Sequence, residues 1–166
     1  MKRWLVLPVV ALMVSCSTID CPVNSLVQTK YQFFDSAGEE LTLLDTLTVV
    51  TTRKDGKDTL IYKSDSIIYN KGVGVSTFSL PVSYTHPEDV LVFRFKGDGW
   101  HTADTVWIKK EDRPHFESVD CNPIFFHNLT SVKCTNNLLD SIVINNSSVT
   151  NDDQVVHFYI YPKTGD

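Results

Sequence analysis

The chain has 166 residues, 42% of them apolar and 21% charged, with 15 basic against 20 acidic side chains. That is enough for one domain with a sizeable hydrophobic core and too few for two comfortable ones. The acidic balance and the scatter of the charges exclude a nucleic-acid partner, whose phosphates call for a basic patch.

The N-terminus reads as a bacterial lipoprotein signal. Lys2 and Arg3 give a positive start, Trp4 to Val14 form an uncharged apolar run, and Met13-Val14-Ser15-Cys16 sets a small residue before a cysteine. The run falls short of the roughly 20 residues a membrane helix needs, and Pro8 interrupts it. Cleavage before Cys16 would make that residue the first of the mature chain, with diacylglycerol on its thiol and a further acyl chain on its amine. Each buried methylene contributes about 0.8 kcal/mol, so two or three chains anchor a protein that one chain would hold only reversibly. An ordinary secretory signal cut near Ser15 or Ser17 is the alternative, and Met13 stands where the lipoprotein pattern usually has Leu. The expected layout is a signal peptide over residues 1–15, a lipidated tether over 16–24 interrupted by Pro22, and a β-domain over 25–166. The acylated Cys16 would place the protein on a lipid bilayer. Loss of Lys2 and Arg3 leaves 13 basic against 20 acidic residues, a formal charge near −7.

Beyond the tether, hydrophobicity alternates with period two. Val27, Thr29, Tyr31 and Phe33 form the first core face, followed by Leu91, Phe93 and Phe95 and, near the end, Val156, Phe158 and Ile160. Further strand-like runs cover Thr46 to Arg53, Thr59 to Lys63, Val75 to Val82, Thr102 to Lys109, Phe116 to Val119 and Leu139 to Asn145. Turn signals separate them at Ser36-Ala37-Gly38, Lys54-Asp55-Gly56-Lys57 and Gly97-Asp98-Gly99. Lys109-Lys110 with Arg113, diluted by Glu111 and Asp112, reads as a solvated strand end. No segment carries a sustained helical stripe. The pattern predicts an all-β fold, a single antiparallel β-sandwich of immunoglobulin-like or related Greek-key type, with a closed barrel as the alternative.

Cys21, Cys121 and Cys134 follow Cys16. In an oxidising compartment one disulfide is expected, with one thiol left over. Cys21–Cys121 is the preferred pair; it closes a loop of about a hundred residues, for which chain entropy gives at most about 4.7 kcal/mol. Cys121–Cys134 is the rival pairing, across a hairpin. No Cys-x-x-Cys points to zinc, no metal or other cofactor is expected, and Cys134 reads as a buried, inert thiol.

Catalytic motifs are missing: there is no Gly-x-Ser-x-Gly elbow, no His-Glu-x-x-His and no phosphate-cradling glycine loop. No catalytic residue is assigned. His101, near Asp98 and Asp104, is the one histidine beside a loop where a base could act. His86 precedes Pro87 in a turn, His115 follows Pro114, and His157 lies opposite the core face of its strand; these read as surface or packing residues. Asp152-Asp153 reads as a solvated turn.

One tripeptide, Asp followed by Ser or Thr and then a small aliphatic residue, occurs six times, where composition predicts roughly one. The hydroxyl residues are Ser36, Thr46, Thr59, Ser66, Thr105 and Ser141. Structurally, Asp can end a turn while Ser or Thr opens a strand. Functionally, the tripeptide resembles the O-glycosylation acceptor of exported Bacteroidota proteins, and a mixture of the two is expected.

Cys21 just after the lipobox, Tyr31-Gln32-Phe33-Phe34, Lys57-Asp58-Thr59-Leu60 and Ser79-Leu80-Pro81 occur in that order. The strand pair Val90 to Phe95 and Asp104 to Ile108, Ser118 to Cys121 and the closing Val156 to Tyr161 follow. In these the chain resembles small lipoproteins of Bacteroidota envelopes, each one β-rich domain of about this length; Asn122 stands where such proteins often have Gly. The resemblance implies location and fold and brings no assigned activity. Lipoproteins of that group sent to the cell surface often carry an acidic run after the cysteine. None follows Cys16, so an outer-membrane anchor facing the periplasm is expected. The resulting expectation is a noncatalytic binding or accessory subunit with an envelope protein partner. Two alternatives are an envelope hydrolase with a dispersed His/Asp site around His101 and a surface glycan-binding protein using Trp100 and Trp107.

Overall fold

A computed structural model describes Cys21 and residues 27–51, 54–55, 59–60 and 66–163. The expected signal peptide, Cys16 and the rest of the tether apart from Cys21 lie outside the described residues. Within them every regular element is a strand: β1 (Gln28–Phe33), β2 (Thr46–Thr51), β3 (Lys54–Asp55), β4 (Thr59–Leu60), β5 (Ser66–Gly72), β6 (Thr77–Pro81), β7 (Glu88–Lys96), β8 (His101–His115), β9 (Ile124–Cys134), β10 (Leu139–Ile144), β11 (Ser148–Val149) and β12 (Phe158–Pro162). They form a four-stranded sheet ordered β10-β12-β1-β6, a six-stranded sheet ordered β11-β9-β8-β7-β2-β5, and the small hairpin β3-β4.

The alternation that predicts the strands also builds the core. Tyr31 and Phe33 from β1, Leu47 and Val49 from β2, Phe78 and Leu80 from β6, Phe93 and Phe95 from β7, and Phe158 and Ile160 from β12 are all buried in one cluster. Both sheets feed it. Tyr31 stacks between Phe78 and Phe158 of its own sheet at 4.9 and 4.8 Å and meets Phe93 of the other edge-on at 6.0 Å. Such ring pairs contribute about 0.5–1.5 kcal/mol each beyond the area they bury. The Tyr31 hydroxyl accepts a hydrogen bond from Thr29 at 3.1 Å, and burial raises its pKa far above the ordinary phenol value.

Three departures from the sequence expectation have local causes. The four-stranded sheet is not wholly antiparallel: β1 runs parallel to β12, with Tyr31 opposite Phe158. Parallel neighbours require a long crossover, which chain ends more than a hundred residues apart supply without difficulty. Phe116 to Val119 is a turn and not a strand, because the Ser118 carbonyl accepts from Cys121 N–H at 3.3 Å and its hydroxyl from Asp120 N–H. Finally, β5 and β9 are strands that alternation does not reveal. Strand β5 is largely exposed on both faces, and β9 shifts register against β8 between Lys109 and Lys110, so its inward positions change parity.

Strand directions define two ends. The chain enters β1 at Val27 beside the β6–β7 connection, where Val82 N–H bonds the Val27 carbonyl. The β8–β9 turn lies at this same end, and Cys21 and Cys121 are joined there with sulfurs 2.06 Å and Cα atoms 5.6 Å apart. We refer to this as the tether end. The β7–β8 turn, the start of β2 and the end of β12 lie at the distal end.

Candidate functional site

Strand β8 sends its even-numbered side chains inward. Asp104, Val106, Ile108 and Lys110 are all buried, so the expectation of a solvated strand end at Lys110 is corrected: the alternation that buries Ile108 carries Lys110 in as well. Its Nζ lies 3.8 Å from Asp89 and 3.5 Å from Asp112, and donates to the His86 carbonyl. Asp112 in turn holds His127 at 2.7 Å through Nδ1. An ionised carboxylate only accepts, so Nδ1 carries the proton. Burial raises the Asp89 carboxyl above its ordinary value, outweighing the attraction of Lys110. Burial lowers the His127 imidazole despite Asp112, leaving it neutral at pH 7.

At the distal end of the same strand, Asp104 is fully buried and accepts four hydrogen bonds. Asn137 N–H and the Thr135 hydroxyl bond one oxygen at 2.6 and 2.7 Å, and Leu138 and Leu139 N–H bond the other at 2.8 and 2.9 Å. Burial pushes this carboxyl up, but the donors outweigh it and hold it below its ordinary value. Asp104 therefore fixes the β9–β10 connection. It lies on the opposite face of β8 from His101, so the sequence pairing of these two is not formed.

His101 does meet other carboxylates. On the outward face of the six-stranded sheet a cavity of about 840 Å³ is lined by Asp45, Thr46, Lys71, Arg94, Lys96, Asp98 and His101 among others, with Leu44 at its rim. These positions alternate with the core residues Leu47, Phe93 and Phe95. His101 is exposed, and among the described residues no hydrogen bond joins it to Asp45 or Asp98. A base without an orienting partner lacks the third element of a nucleophile–base–orienter arrangement. Trp100 closes the turn beside the cavity, its carbonyl accepting from Gly97 N–H at 3.1 Å. Its ring lies so close over Gly97 that a Cβ there would come within 2.1 Å of Nε1. Trp107 is half-buried within β8.

The remaining candidates are dispersed. Cys134 carries a free thiol on β9, half-buried, with burial pushing its pKa up, so it stays protonated at neutral pH. His115 is exposed and stacks on Phe126 at 4.6 Å, His86 is exposed, and Asp152 caps its own turn by accepting Gln154 N–H. His157 is buried just ahead of β12; Nδ1 accepts Lys30 N–H at 3.0 Å, and burial lowers its pKa. Of the six tripeptide positions, Thr46, Thr59 and Ser66 open β2, β4 and β5, as the structural reading of the motif requires. Ser36, in an exposed turn organised by Asp35, and Ser141, within β10, line one shallow cavity. Thr105 is half-buried within β8, opposite Val92 of β7.

Sequence alone does not single out Asp89 and His127, and it takes Asp112 as a solvated neighbour of Lys110. The inward stripe Asp104-Val106-Ile108-Lys110 was the signal that could have led to them, since a lysine in a core register demands buried partners. A model of DUF6452, a family of unknown function, matches residues 46–162. The chain belongs to this family. DUF6452 thus takes in the Lys110 cluster, the Asp104 cage and most of the distal cavity, and leaves β1 and Cys21 outside the match. No curated protein and no solved structure matches the chain.

Proposed function

We propose that the chain is a noncatalytic binding or accessory lipoprotein of the bacterial envelope, anchored through acylated Cys16 to the outer membrane and facing the periplasm. Its two sheets would act as an immunoglobulin-like or Greek-key sandwich presenting the distal end to another envelope protein. The supporting observation is the surface there. Leu44, 79% exposed, borders the distal cavity, and Val73, just past β5, is 66% exposed at the same end, beside the strand that edges the six-stranded sheet among the described residues. Apolar side chains beside an unpaired edge favour a protein contact. The lipoprotein signal and the resemblance to Bacteroidota lipoproteins support the location.

A photo-crosslinking residue at Leu44, in intact native cells, is expected to capture one reproducible protein that the same residue at Val143, on the other sheet, does not. A turnover activity abolished by His101→Ala with folding intact would sink this reading in favour of an envelope hydrolase.

A further inference from the structure

The tether end also carries exposed apolar side chains, in a place where the chain itself restricts what they can meet. In the β8–β9 turn Phe116 is 61% and Val119 96% exposed, the latter the most exposed large apolar side chain among the described residues. In the neighbouring β6–β7 connection Tyr84 is exposed and stacks on Phe125 at 5.1 Å, beside a shallow pocket formed with Val27, Val82 and Pro123. The Cys21–Cys121 bond ties this turn to the N-terminal segment. Four residues lie between Cys16 and Cys21, and the five Cα–Cα steps reach at most about 18 Å when fully extended. An acylated Cys16 lies at the bilayer surface, so Cys121, and Val119 two residues before it, are confined close to the lipid headgroups. Aromatic rings and exposed aliphatic side chains are stabilised at that boundary.

We infer that Phe116 and Val119 form a membrane-contacting tip that dips into the headgroup–acyl boundary and holds the domain upright, with the distal cavity pointing away from the bilayer. The partner is the lipid surface carrying the anchor, and the inference rests on the lipidation of Cys16 proposed above. Glu117 and Asp120 flank the two apolar residues, so the surface that fits is zwitterionic and not anionic. The disulfide thereby acquires a role beyond chain entropy: it sets the separation between anchor and tip.

The test uses full-length protein purified from native membranes and reconstituted into phosphatidylethanolamine–phosphatidylcholine vesicles with brominated acyl chains, which quench indole fluorescence on contact. Phe116→Trp and Val119→Trp are each compared with the parent chain and with Leu44→Trp at the distal end. Both tip substitutions lie on an exposed turn and leave the core untouched. The expected result is a bromolipid-dependent loss of fluorescence at either tip position that Leu44→Trp does not show. The mass of the N-terminal peptide from the same preparation reads acylation separately. An acylated peptide with the tip indoles quenched no more than the distal one overturns the membrane tip alone. A peptide without acyl chains overturns the anchor and the tip together.

Discussion

Strand β8 buries a charged side chain at each end of its apolar stretch, and the two are accommodated by different means. Asp104 is surrounded by neutral donors, three backbone N–H groups and a hydroxyl, all from residues 135–139. Lys110 is surrounded by charge, with Asp89 and Asp112 on separate strands and His127 behind them. A carboxylate held by oriented backbone dipoles needs no counter-ion, and its pKa falls below the ordinary value. Around Lys110 burial competes with attraction, and the Asp89 carboxyl rises instead. One end of the strand uses a charge to fix a loop; the other must keep several charges in balance.

The largest expected effect lies at the first end. Asp104→Ala leaves three backbone N–H groups and a hydroxyl without their acceptor, the Leu139 N–H among them in the interior, where such an orphan costs about 1–3 kcal/mol before any relaxation. A loss of about 4 kcal/mol is expected, read as a lower denaturant midpoint at unchanged slope. A change within the error of the extrapolation would mean that water replaces the carboxylate and that the cage has little structural weight.

Lys110→Met comes next and separates the two kinds of cluster. It leaves Asp89 and Asp112 facing each other without their cation, a loss of about 3 kcal/mol. Adding Asp89→Leu should recover much of that loss, because replacing both members of a buried pair by apolar groups is often neutral or stabilising. No such compensating second substitution exists for Asp104, whose partners are backbone. If the double variant is no more stable than the single, the Lys110 cluster contributes more than charge balance and the contrast between the ends fails.

Protonation affects the molecule more gently. The folded-state pKa values of His127 and His157 lie below the ordinary 6.5, so the unfolded chain takes up protons first as pH falls. Their contribution to stability is complete above 6.5 and is lost as pH falls through the folded values. For both histidines burial is the main cause, and at His157 Nδ1 also accepts the Lys30 N–H. Asp89 has the opposite sign: its raised carboxyl contributes stability below 3.8 that disappears as pH rises through the folded value. Unfolding midpoints titrated downward from neutral pH should therefore begin to drop near 6.5. A flat profile across that region would mean that folding does not shift either imidazole, and a rise would mean that the folded protein favours their charged forms.

Much of the fold was legible because burial on one face of a strand imposes period two, which the runs around Tyr31 and Phe93 record; near Phe158 it breaks, since His157, expected opposite the core, is buried while Val156 is half-buried. Strand β9 was not legible because the register shift at Lys109–Lys110 moves its inward positions, and β5 was not because an edge strand exposed on both faces has no reason to alternate. The Lys110 cluster was hidden for a different reason. Its members come from β7, β8 and β9, and charged residues near a run of other charges look solvated until the register of the neighbouring apolar positions is followed through them. His101 and Asp98 were visible as neighbours in sequence. Asp104 was grouped with them only because one-dimensional proximity ignores which face of a strand a side chain takes.

The smallest change in stability should accompany the most informative change at the distal end. Gly97 sits beneath the Trp100 ring, and its hypothetical Cβ would lie 2.1 Å from Nε1 and 2.7 Å from an Asp45 oxygen. Both obstacles are side-chain atoms, and Trp100 is 38% exposed, so Gly97→Ala can be relieved by swinging the ring outward. The core residues Phe93 and Phe95 on the other face of β7 are undisturbed, and a cost of about 1 kcal/mol is expected, typical of a single non-core substitution. The wall between Trp100, Asp45 and His101 would nevertheless change shape. If the distal cavity is the contact surface, the crosslink captured at Leu44 should weaken in Gly97→Ala while the unfolding midpoint barely moves. A crosslink of undiminished yield, together with a red-shifted Trp100 emission showing that the ring has moved, would shift the contact away from the cavity and onto the open edge of β5, whose backbone donors and acceptors this substitution leaves untouched.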